Sequence, residues 1–213
     1  MFKADFHIHT LHSYDCGMSL EAIIDRCLKT GINCIAISDH STITGALKMQ
    51  EIAPFPVIIA EEILTPHGEV MGLFLEEEIP SGQPLAEVIS RIKAQGALVG
   101  LPHPFDPFRG LKLSHTEMEK LATELDFIEV FNARSPFPRT TTKAQDFARK
   151  CGIAATAGSD AHTPGEIGRT FIEMPEFSGK DDFLEALKGG QINGRRSSLL
   201  VHLSSTWTKL KKR

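Results

Sequence analysis

Short apolar segments and amphipathic helical segments alternate at least five times along this chain of 213 residues. The apolar segments have the length of strands and lie at about 3–9, 33–38, 57–60, 97–101, 127–131 and 153–157. Such alternation predicts a largely parallel sheet or barrel with helices on its outside. In folds of this kind, functional residues gather where the carboxyl ends of the strands emerge.

Capping and stop signals give the helices between these strands their boundaries. Ser19 can cap a helix that ends at Gly31, and Ser114 with Glu117 forms a capping box for a helix that reaches about residue 125. We predict further helices at about 45–51, 84–95, 142–151 and 180–188, further strands at 70–75 and 171–174, and an apolar stretch at 199–203.

The composition indicates one domain, 1–213, since 41% of the residues are hydrophobic and no break in composition divides the chain. A net charge of −4 gives no overall attraction for nucleic acid or for an anionic membrane. No apolar run approaches the roughly 18 residues of a membrane helix, so we expect a cytoplasmic protein. The four cysteines lack zinc-site spacing and are expected to be free thiols.

The last residues, about 205–213, form a basic tail that ends in Lys209-Leu210-Lys211-Lys212-Arg213. Four charges without an ordered partner surface define no binding site, so we expect a solvated, frayed end rather than a nucleic-acid arm.

The first predicted strand ends in two histidines, where residues 5–10 read DFHIHT. Because side chains alternate along a strand, His7 and His9 lie on the same face and can direct two imidazoles at one metal ion. A His-x-His pair alone is also common as ordinary polar surface. The pattern gains weight because other apolar segments also end in histidine, aspartate or glutamate.

Five of the nine histidines and two carboxylates lie at or just past predicted strand ends: His7, His9, His40, Glu62, His103, Asp160 and His162. Imidazole and carboxylate ligands without thiolate suit zinc, manganese or ferrous iron. These residues are too many for one tetrahedral ion, so a cluster of two or three metals, with a bridging carboxylate such as Glu62, is the economical interpretation. Such clusters activate a shared water for attack at phosphorus, which predicts phosphoester hydrolysis. Alternatively, these side chains only form hydrogen bonds at strand ends in a barrel without metal.

The same residues belong to five motifs that resemble the polymerase and histidinol phosphatase (PHP) family. In chain order they are His7-Ile8-His9-Thr10 with Ser13 and Asp15, then Ser38-Asp39-His40, the strand end Glu61-Glu62, Pro102-His103-Pro104, and Gly158-Ser159-Asp160-Ala161-His162. The resemblance spans residues 5 to about 170. It implies a distorted (β/α)7 barrel with a trinuclear metal site.

By this resemblance, the first ion is held by His7, His9, Glu62 and Asp160, the second by Glu62 and His103, and the third by Asp15, His40 and His162. Glu62 is preferred to Glu61, because only one of two neighbours on a strand can face the site. Many relatives have a histidine where this chain has Met71. A thioether cannot replace a histidine for a hard or borderline metal ion. The second ion therefore takes Glu69 or Asn132 as a ligand, or it is weakly held.

The candidate catalytic residues are Asp160, His162 and Asp39. Asp39 orients His40 or a neighbouring histidine in one interpretation and caps a turn in the other. Arg134 is the first candidate for binding a substrate phosphate through a bidentate contact, with Arg109 and Arg139 as weaker candidates.

The leading functional hypothesis is a phosphoesterase that hydrolyses a small phosphomonoester or nucleotide through a metal-bridging hydroxide. One alternative is a nuclease that acts on DNA or RNA ends, against which the acidic charge and the single Trp and Tyr speak. Another is a metal-binding module without turnover. The sequence does not determine the oligomeric state or the leaving group.

Overall fold

The computed structural model describes residues 1–198 and 201–212, apart from the side chains of 202–206. Nine strands lie in this part of the chain, and they hydrogen-bond in the order β7-β6-β5-β4-β3-β2-β1-β8-β9. Their bounds are β1 (Phe2–Ile8), β2 (Cys34–Ile37), β3 (Val57–Thr65), β4 (Gly68–Leu73), β5 (Leu98–Leu101), β6 (Phe127–Asn132), β7 (Ala154–Gly158), β8 (Thr170–Met174) and β9 (Gln191–Gly194).

The sheet curls into a nearly closed barrel, because the end of β1 meets the segment that follows β7. Ile8 forms a parallel bridge with Ala161, and the N–H of His9 donates to the carbonyl of Ala161 at 3.0 Å. An α/β barrel of the distorted kind expected from the sequence is therefore confirmed.

Seven α-helices complete the described part of the fold: α1 (Leu20–Thr30), α2 (Thr44–Ile52), α3 (Leu85–Ala94), α4 (His115–Leu121), α5 (Pro138–Cys151), α6 (Lys180–Lys188) and α7 (Val201–Lys211). The predicted signals act as expected. Ser19 accepts from the N–H of Ala22, Gly31 ends α1 at a φ of 73°, and Ser114 with Glu117 forms the capping box of α4.

The strand directions are more mixed than the sequence predicts. Four neighbouring pairs are parallel (β1–β2, β2–β3, β5–β6 and β6–β7) and four are antiparallel (β3–β4, β4–β5, β1–β8 and β8–β9). The reason is connection length, since β3 and β4 are joined by a turn of two residues, and only antiparallel strands can be joined so tightly.

A bulge in β1 sets the position of the two histidines. Asp5 pairs with Ile35 and Ile8 with Ile37, so β1 has one more residue than β2 over this span. The extra residue changes the alternation, and Phe6 belongs to the interior core while Ile8 packs outside with α1. His7 and His9 therefore lie inside the barrel, above the apolar side chains of its interior core. Helix α6 covers the opposite end, where Phe183 packs edge-on against Phe6.

The C-terminal segment differs from the expected frayed end. Of the apolar stretch predicted at 199–203, residues 199 and 200 lie outside the described part, and α7 begins at Val201. Lys212, just past α7, donates from Nζ to the carbonyls of Leu11, Ser13 and Cys16 at 2.6–2.7 Å. The described residues at the end of α7 are largely exposed, as expected, but the end is held rather than frayed, because sequence alone does not show that these carbonyls converge. No helix among the described residues has the length and apolar character that a membrane crossing needs.

Candidate metal centre

Four ligand atoms converge at the carboxyl ends of the strands, inside the barrel mouth. They are Nε2 of His7, Nε2 of His9, Oε2 of Glu62 and Oδ1 of Asp160, and we call these residues the floor quartet. The two imidazole nitrogens are 3.1 Å apart, and each lies 3.4 Å from the Glu62 oxygen. The Asp160 oxygen is 3.7 Å from His7 and 3.4 Å from His9.

These separations fit a metal ion. Ligands about 2.1 Å from a tetrahedral ion lie about 3.4 Å from one another. All four residues are buried, and Oδ1 of Asp160 has no hydrogen-bond partner among the described residues. A buried acceptor without a partner is costly unless a cation satisfies it. His7, His9 and Asp160 can therefore hold a divalent ion, and Glu62 lies within 3.4 Å of both imidazole nitrogens.

A second group shares Glu62, whose other oxygen, Oε1, lies 2.8 Å from Nε2 of His103. Oε2 of Glu69 is 3.4 Å from the same nitrogen. Glu62 thus presents one oxygen to the floor quartet and the other to His103, as a bridging carboxylate does. Of the two residues proposed to complete this second site, the geometry favours Glu69, which precedes Met71 by two positions on the same face of β4.

Asn132 is used differently. Its Nδ2 donates to Glu129 and Asp160, and its Oδ1 accepts from the N–H groups of Arg134 and Ser135. Because both ends of the amide are occupied, Asn132 positions neighbours and does not complete a metal site. The metal role considered for it was wrong.

A third group lies nearer the surface, and we call Asp15, His40 and His162 the rim trio. Oδ2 of Asp15 is 3.3 Å from Nε2 of His162 and 3.5 Å from Nε2 of His40. Ser13 donates to the other oxygen of Asp15 at 2.9 Å. His9 is close to the rim trio as well as belonging to the floor quartet, because its ring lies against the rings of His40 and His162.

Electrostatics keep the carboxylates of this cluster ionised. Burial opposes ionisation of Glu62, but His7 and His40 outweigh it and hold the pKa of Glu62 well below its usual value. For Asp160 the opposing burial is outweighed by Arg109 and His7, so that its pKa is also well below normal. Burial, reinforced by His162, lowers the pKa of His9 to about 3, which leaves the neutral imidazole that binds metals.

Glu129, in the middle of β6, fixes the orientation of His7 and was not singled out from the sequence. Its Oε1 lies 3.1 Å from Nδ1 of His7, and its Oε2 accepts from the N–H of His103 at 2.8 Å. Because a carboxylate only accepts, Nδ1 of His7 carries a proton. Burial opposes the charge of His7, but Glu129 and Glu62 outweigh it and raise the pKa of His7 well above its usual value, so a bound metal would replace the second proton, at Nε2. The signal was present, since a charged residue inside the apolar run FIEVFN calls for a buried partner.

Asp39 does not contact a histidine ring. Its carboxylate accepts from both the N–H and the hydroxyl of Thr10 at 2.6 Å, and burial raises its pKa to about 6. The catalytic role proposed for Asp39 was wrong, and the alternative interpretation, a carboxylate that fixes a turn, describes its contacts. The turn it fixes follows His9.

The three candidate arginines differ in their contacts and in their position relative to the pocket. Arg109 donates from Nη1 to Oδ2 of Asp160, while its Nη2 makes no hydrogen bond and lies 3.9 Å from Asp106. Arg134 is buried, with Nε 3.4 Å from Glu166 and Nη2 donating to the carbonyl of Val201. Both line the pocket above the cluster. Arg139 is exposed near the start of α5 and does not line this pocket, so its role stays a prediction without support from the pocket geometry.

An open pocket of about 500 Å³ lies over the rim trio. Tyr14 and Phe108 contribute aromatic wall, and Lys112 and Lys209 add positive charge beside the two arginines. Tyr14 stacks on the ring of His40, with ring centroids 4.9 Å apart. Tyr14 and Glu166 were also missed. Glu166 accepts from the N–H of His162, and its signal was the capping box that it forms with Thr163.

Comparisons with known proteins agree with this geometry. The PHP domain profile matches residues 5–59, and a profile described as PHP-associated matches residues 138–192. The uncharacterized protein MJ0417 of Methanocaldococcus jannaschii is 36% identical over 197 residues, which is 87% of this chain and 79% of that protein.

Two solved structures share the fold. A two-domain protein from Bacteroides vulgatus, described as containing a predicted PHP-like metal-dependent phosphoesterase, superposes with a TM-score of 0.76 at 20% identity over 99% of this chain and 69% of its own. An amidohydrolase from Chromobacterium violaceum, solved with bound sulfate and no metal, gives a TM-score of 0.63 at 16% identity over 77% of this chain and 89% of its own. At such identities the likeness concerns the fold alone.

Proposed function

Because this chain belongs to the PHP family, we propose that it is a metal-dependent phosphoesterase that hydrolyses a small phosphomonoester. The observation that carries the proposal is the floor quartet, in which the imidazole nitrogens of His7 and His9 lie 3.1 Å apart and each lies 3.4–3.7 Å from the carboxylate oxygens of Glu62 and Asp160. The quartet lies beneath a pocket that contains four cationic side chains. A metal cluster below and positive charge above suit a phosphate better than a neutral amide.

In this proposal, two or three divalent ions (Zn, Mn or Fe) are held by the floor quartet, by His103 and Glu69 with the bridging Glu62, and by the rim trio. When bound, such ions activate water and neutralise the charge that develops on phosphate oxygens. Asp160 and His162 keep the roles predicted from the sequence, as groups at the reacting centre. Choice among these metals does not follow from the ligand types.

Arginine contacts orient the phosphate. Arg109 is held by Asp160 through Nη1, so its Nη2 is directed by a fixed guanidinium plane rather than by a mobile chain. Burial disfavours the charge of Arg109, but Asp160 outweighs it and keeps its pKa above the usual value. The guanidinium therefore stays charged at every relevant pH. Arg134 also lines the pocket, where Glu166 and the carbonyl of Val201 hold it.

The pocket limits the leaving group. A volume of about 500 Å³ accommodates a sugar, an amino alcohol or a nucleoside, within the usual range for small-molecule sites. Tyr14, half exposed and stacked on His40, provides a face on which a planar leaving group can lie. A nuclease would need basic and aromatic residues along an extended groove, whereas here they surround one pocket.

The test is elemental analysis of the purified protein, combined with phosphate release from phosphomonoesters, nucleotides and short oligonucleotides in the presence of Mn²⁺. We expect two or three metals per chain and turnover of a small phosphomonoester. Asp160→Asn should lose metal and phosphate release together while its circular dichroism stays native. The matched control Asp126→Asn changes a carboxylate that only accepts from the N–H of Val99, outside the cluster, and should keep both.

Other outcomes point elsewhere. Metal without phosphate release from any substrate would indicate a non-catalytic module. Cleavage of oligonucleotides alone would indicate a nuclease. Hydrolysis that survives Asp160→Asn would overturn the role assigned to Asp160.

A further inference from the structure

A second polar pocket, of about 590 Å³, lies on the outer face of the sheet, away from the metal cluster. Phe171 forms part of its wall and packs with the α1 side of the fold, whereas its neighbour Ile172 belongs to the barrel interior. The pocket is lined by α1, by the loop before β8 and by β9. We call it the outer pocket.

Three arginines meet in the outer pocket: Arg26 from α1, Arg169 just before β8 and Arg195 just after β9. Its remaining lining residues are Gly165, Gly168, Phe171, Asn193 and Gly194, so no acidic side chain contributes to the wall. Lys3 adds a fourth cation nearby, with Nζ 4.1 Å from the centre of the Phe171 ring. Within the described part of the chain, none of the three arginines takes part in an ion pair of 4 Å or less.

Two of the guanidinium groups are already oriented. Arg26 donates from Nε to the carbonyl of Ile167 at 3.3 Å, and Arg169 donates from Nε to the carbonyl of Gly165 at 3.1 Å. These bonds use the inner nitrogen of each group and leave the two outer nitrogens for a ligand. A guanidinium held in this way can bind a phosphate through two parallel hydrogen bonds with little further loss of side-chain freedom.

The backbone around the arginines is also fixed. Gly168 has a φ of 87° and lies so close to α1 that an added Cβ would come within 2.7 Å of Thr30. The N–H of Arg195 donates to the carbonyl of Arg169 at 2.8 Å. The segments that carry the three arginines are therefore joined to one another, by the contact of Gly168 with α1 and by the backbone hydrogen bond between Arg195 and Arg169.

We propose that the outer pocket is a second anion site, which binds a small ligand carrying a phosphate group. Three positive charges in an otherwise acidic chain, without a carboxylate among them, match a ligand with two or more negative charges. The site is separate from the catalytic pocket, with which it shares no lining residue.

A long nucleic acid fits this surface less well. Glu173 lies at one edge of the outer pocket, where Asn193 donates to it at 3.4 Å, and the chain as a whole carries a net charge of −4. A strand of many phosphates needs positive charge that continues along its path.

The test is a nuclear magnetic resonance titration that follows the Nε–H signals of individual arginines, because it separates this site from the catalytic pocket. Inorganic phosphate and adenosine monophosphate are the probes. We expect shifts at Arg26, Arg169 and Arg195 that saturate with one dissociation constant, and no shift at Arg149, an exposed arginine on α5. Arg169→Ala with Arg195→Ala should weaken this binding at least tenfold, and the control Arg149→Ala should not change it.

Both arginines of the double variant are exposed, so folding should be retained, and thermal unfolding checks this. Arg169→Lys keeps the charge but loses the paired donors, and should lie between the wild type and the double variant. Shifts confined to Arg109 and Arg134 would overturn the proposal. So would equal binding by the double variant, or an affinity for oligonucleotides that rises with their length.

Discussion

The floor quartet and the rim trio are built from the same residue types but in different ways. Side chains of the floor quartet are at most 1% exposed, whereas Asp15 of the rim trio is 15% exposed. His7, His9 and Asp160 stand at or next to the ends of strands, and Glu62 lies inside β3. Asp15 lies in the loop between β1 and α1, and the carbonyls of that loop are held by Lys212 from the far end of the chain.

The difference indicates which part of the centre is fixed by the barrel itself. A hydrogen bond from another strand of the barrel orients His7 in the floor quartet, since Glu129 on β6 contacts it. Within the rim trio, Asp15 depends on one loop and one terminal segment, which open more easily than strands inside a sheet. We therefore expect the floor quartet to bind metal firmly. We expect the geometry of the rim trio to respond to substitutions far from it in the chain.

The largest effect is expected from substituting Glu62, and its neighbour on β3, Glu61, provides the control. Glu62→Gln removes the carboxylate that lies beside His7, His9 and His103. The variant should lose metal and should lower phosphate release by more than about 10³-fold. Glu61→Gln is the matched control. Glu61 accepts from the N–H of Ile79 outside the barrel interior, so metal content and activity should be unchanged. Elemental analysis and phosphate-release assays measure both variants. Equal losses of metal and activity would contradict the assignment of Glu62 to the inner face of β3 and Glu61 to the outer face.

Glu61 should instead control the pH dependence of stability. Burial raises its pKa from 4.5 to about 7, so the folded state binds the proton more tightly than the unfolded state. The stabilisation is complete below pH 4.5 and is lost as the pH rises through 7, which lowers the free energy of unfolding by up to about 3 kcal/mol.

Denaturant unfolding of the wild type and Glu61→Gln at pH 5 and pH 8 checks this prediction. The loss of stability on going to pH 8 should be smaller in the variant. Glu76→Gln changes an exposed glutamate between β4 and α3 and should behave like the wild type. A variant as pH-dependent as the wild type would show that Glu61 keeps an ordinary pKa.

Substituting Glu129, which contacts His7 of the floor quartet, should have an intermediate effect on metal affinity. Glu129 accepts on both oxygens, so Glu129→Gln must direct an amide N–H at either His7 or the N–H of His103. Metal affinity should fall by about 10–100-fold with the fold retained. Competition with a chelator measures the affinity, and an unchanged value would mean that His7 does not need this partner.

The smallest effect is expected at the rim. Lys212→Ala removes three hydrogen bonds to the Asp15 loop and should lower phosphate release a few-fold, while the metal most tightly held stays bound. Lys211→Ala is the control, because Lys211 lies over Trp207 and not over the loop. If Lys212→Ala removed all metal, the distinction between floor and rim would be wrong.

Much of the candidate site could be predicted, because its residues follow strands that the sequence indicates clearly. His7, His9, Glu62, Asp160 and the rim trio lie together in the structure as the resemblance implied. The missed residues are of another kind. Glu129 serves histidines far away in the chain, and Lys212 reaches back 199 residues to Ser13. Such partners are decided by the packing of distant segments.

The sequence by itself determined the alternation of strands and helices, the helix caps and the candidate ligands, because these depend on local periodicity and on residue chemistry. Only the tertiary structure decided that β4, β8 and β9 run antiparallel to their neighbours and that a bulge places Phe6 beneath His7. It also decided that Arg109 contacts Asp160 while Arg139 faces solvent. The physical reason is that a side chain's partner depends on which segments meet in space, and local sequence does not encode that meeting.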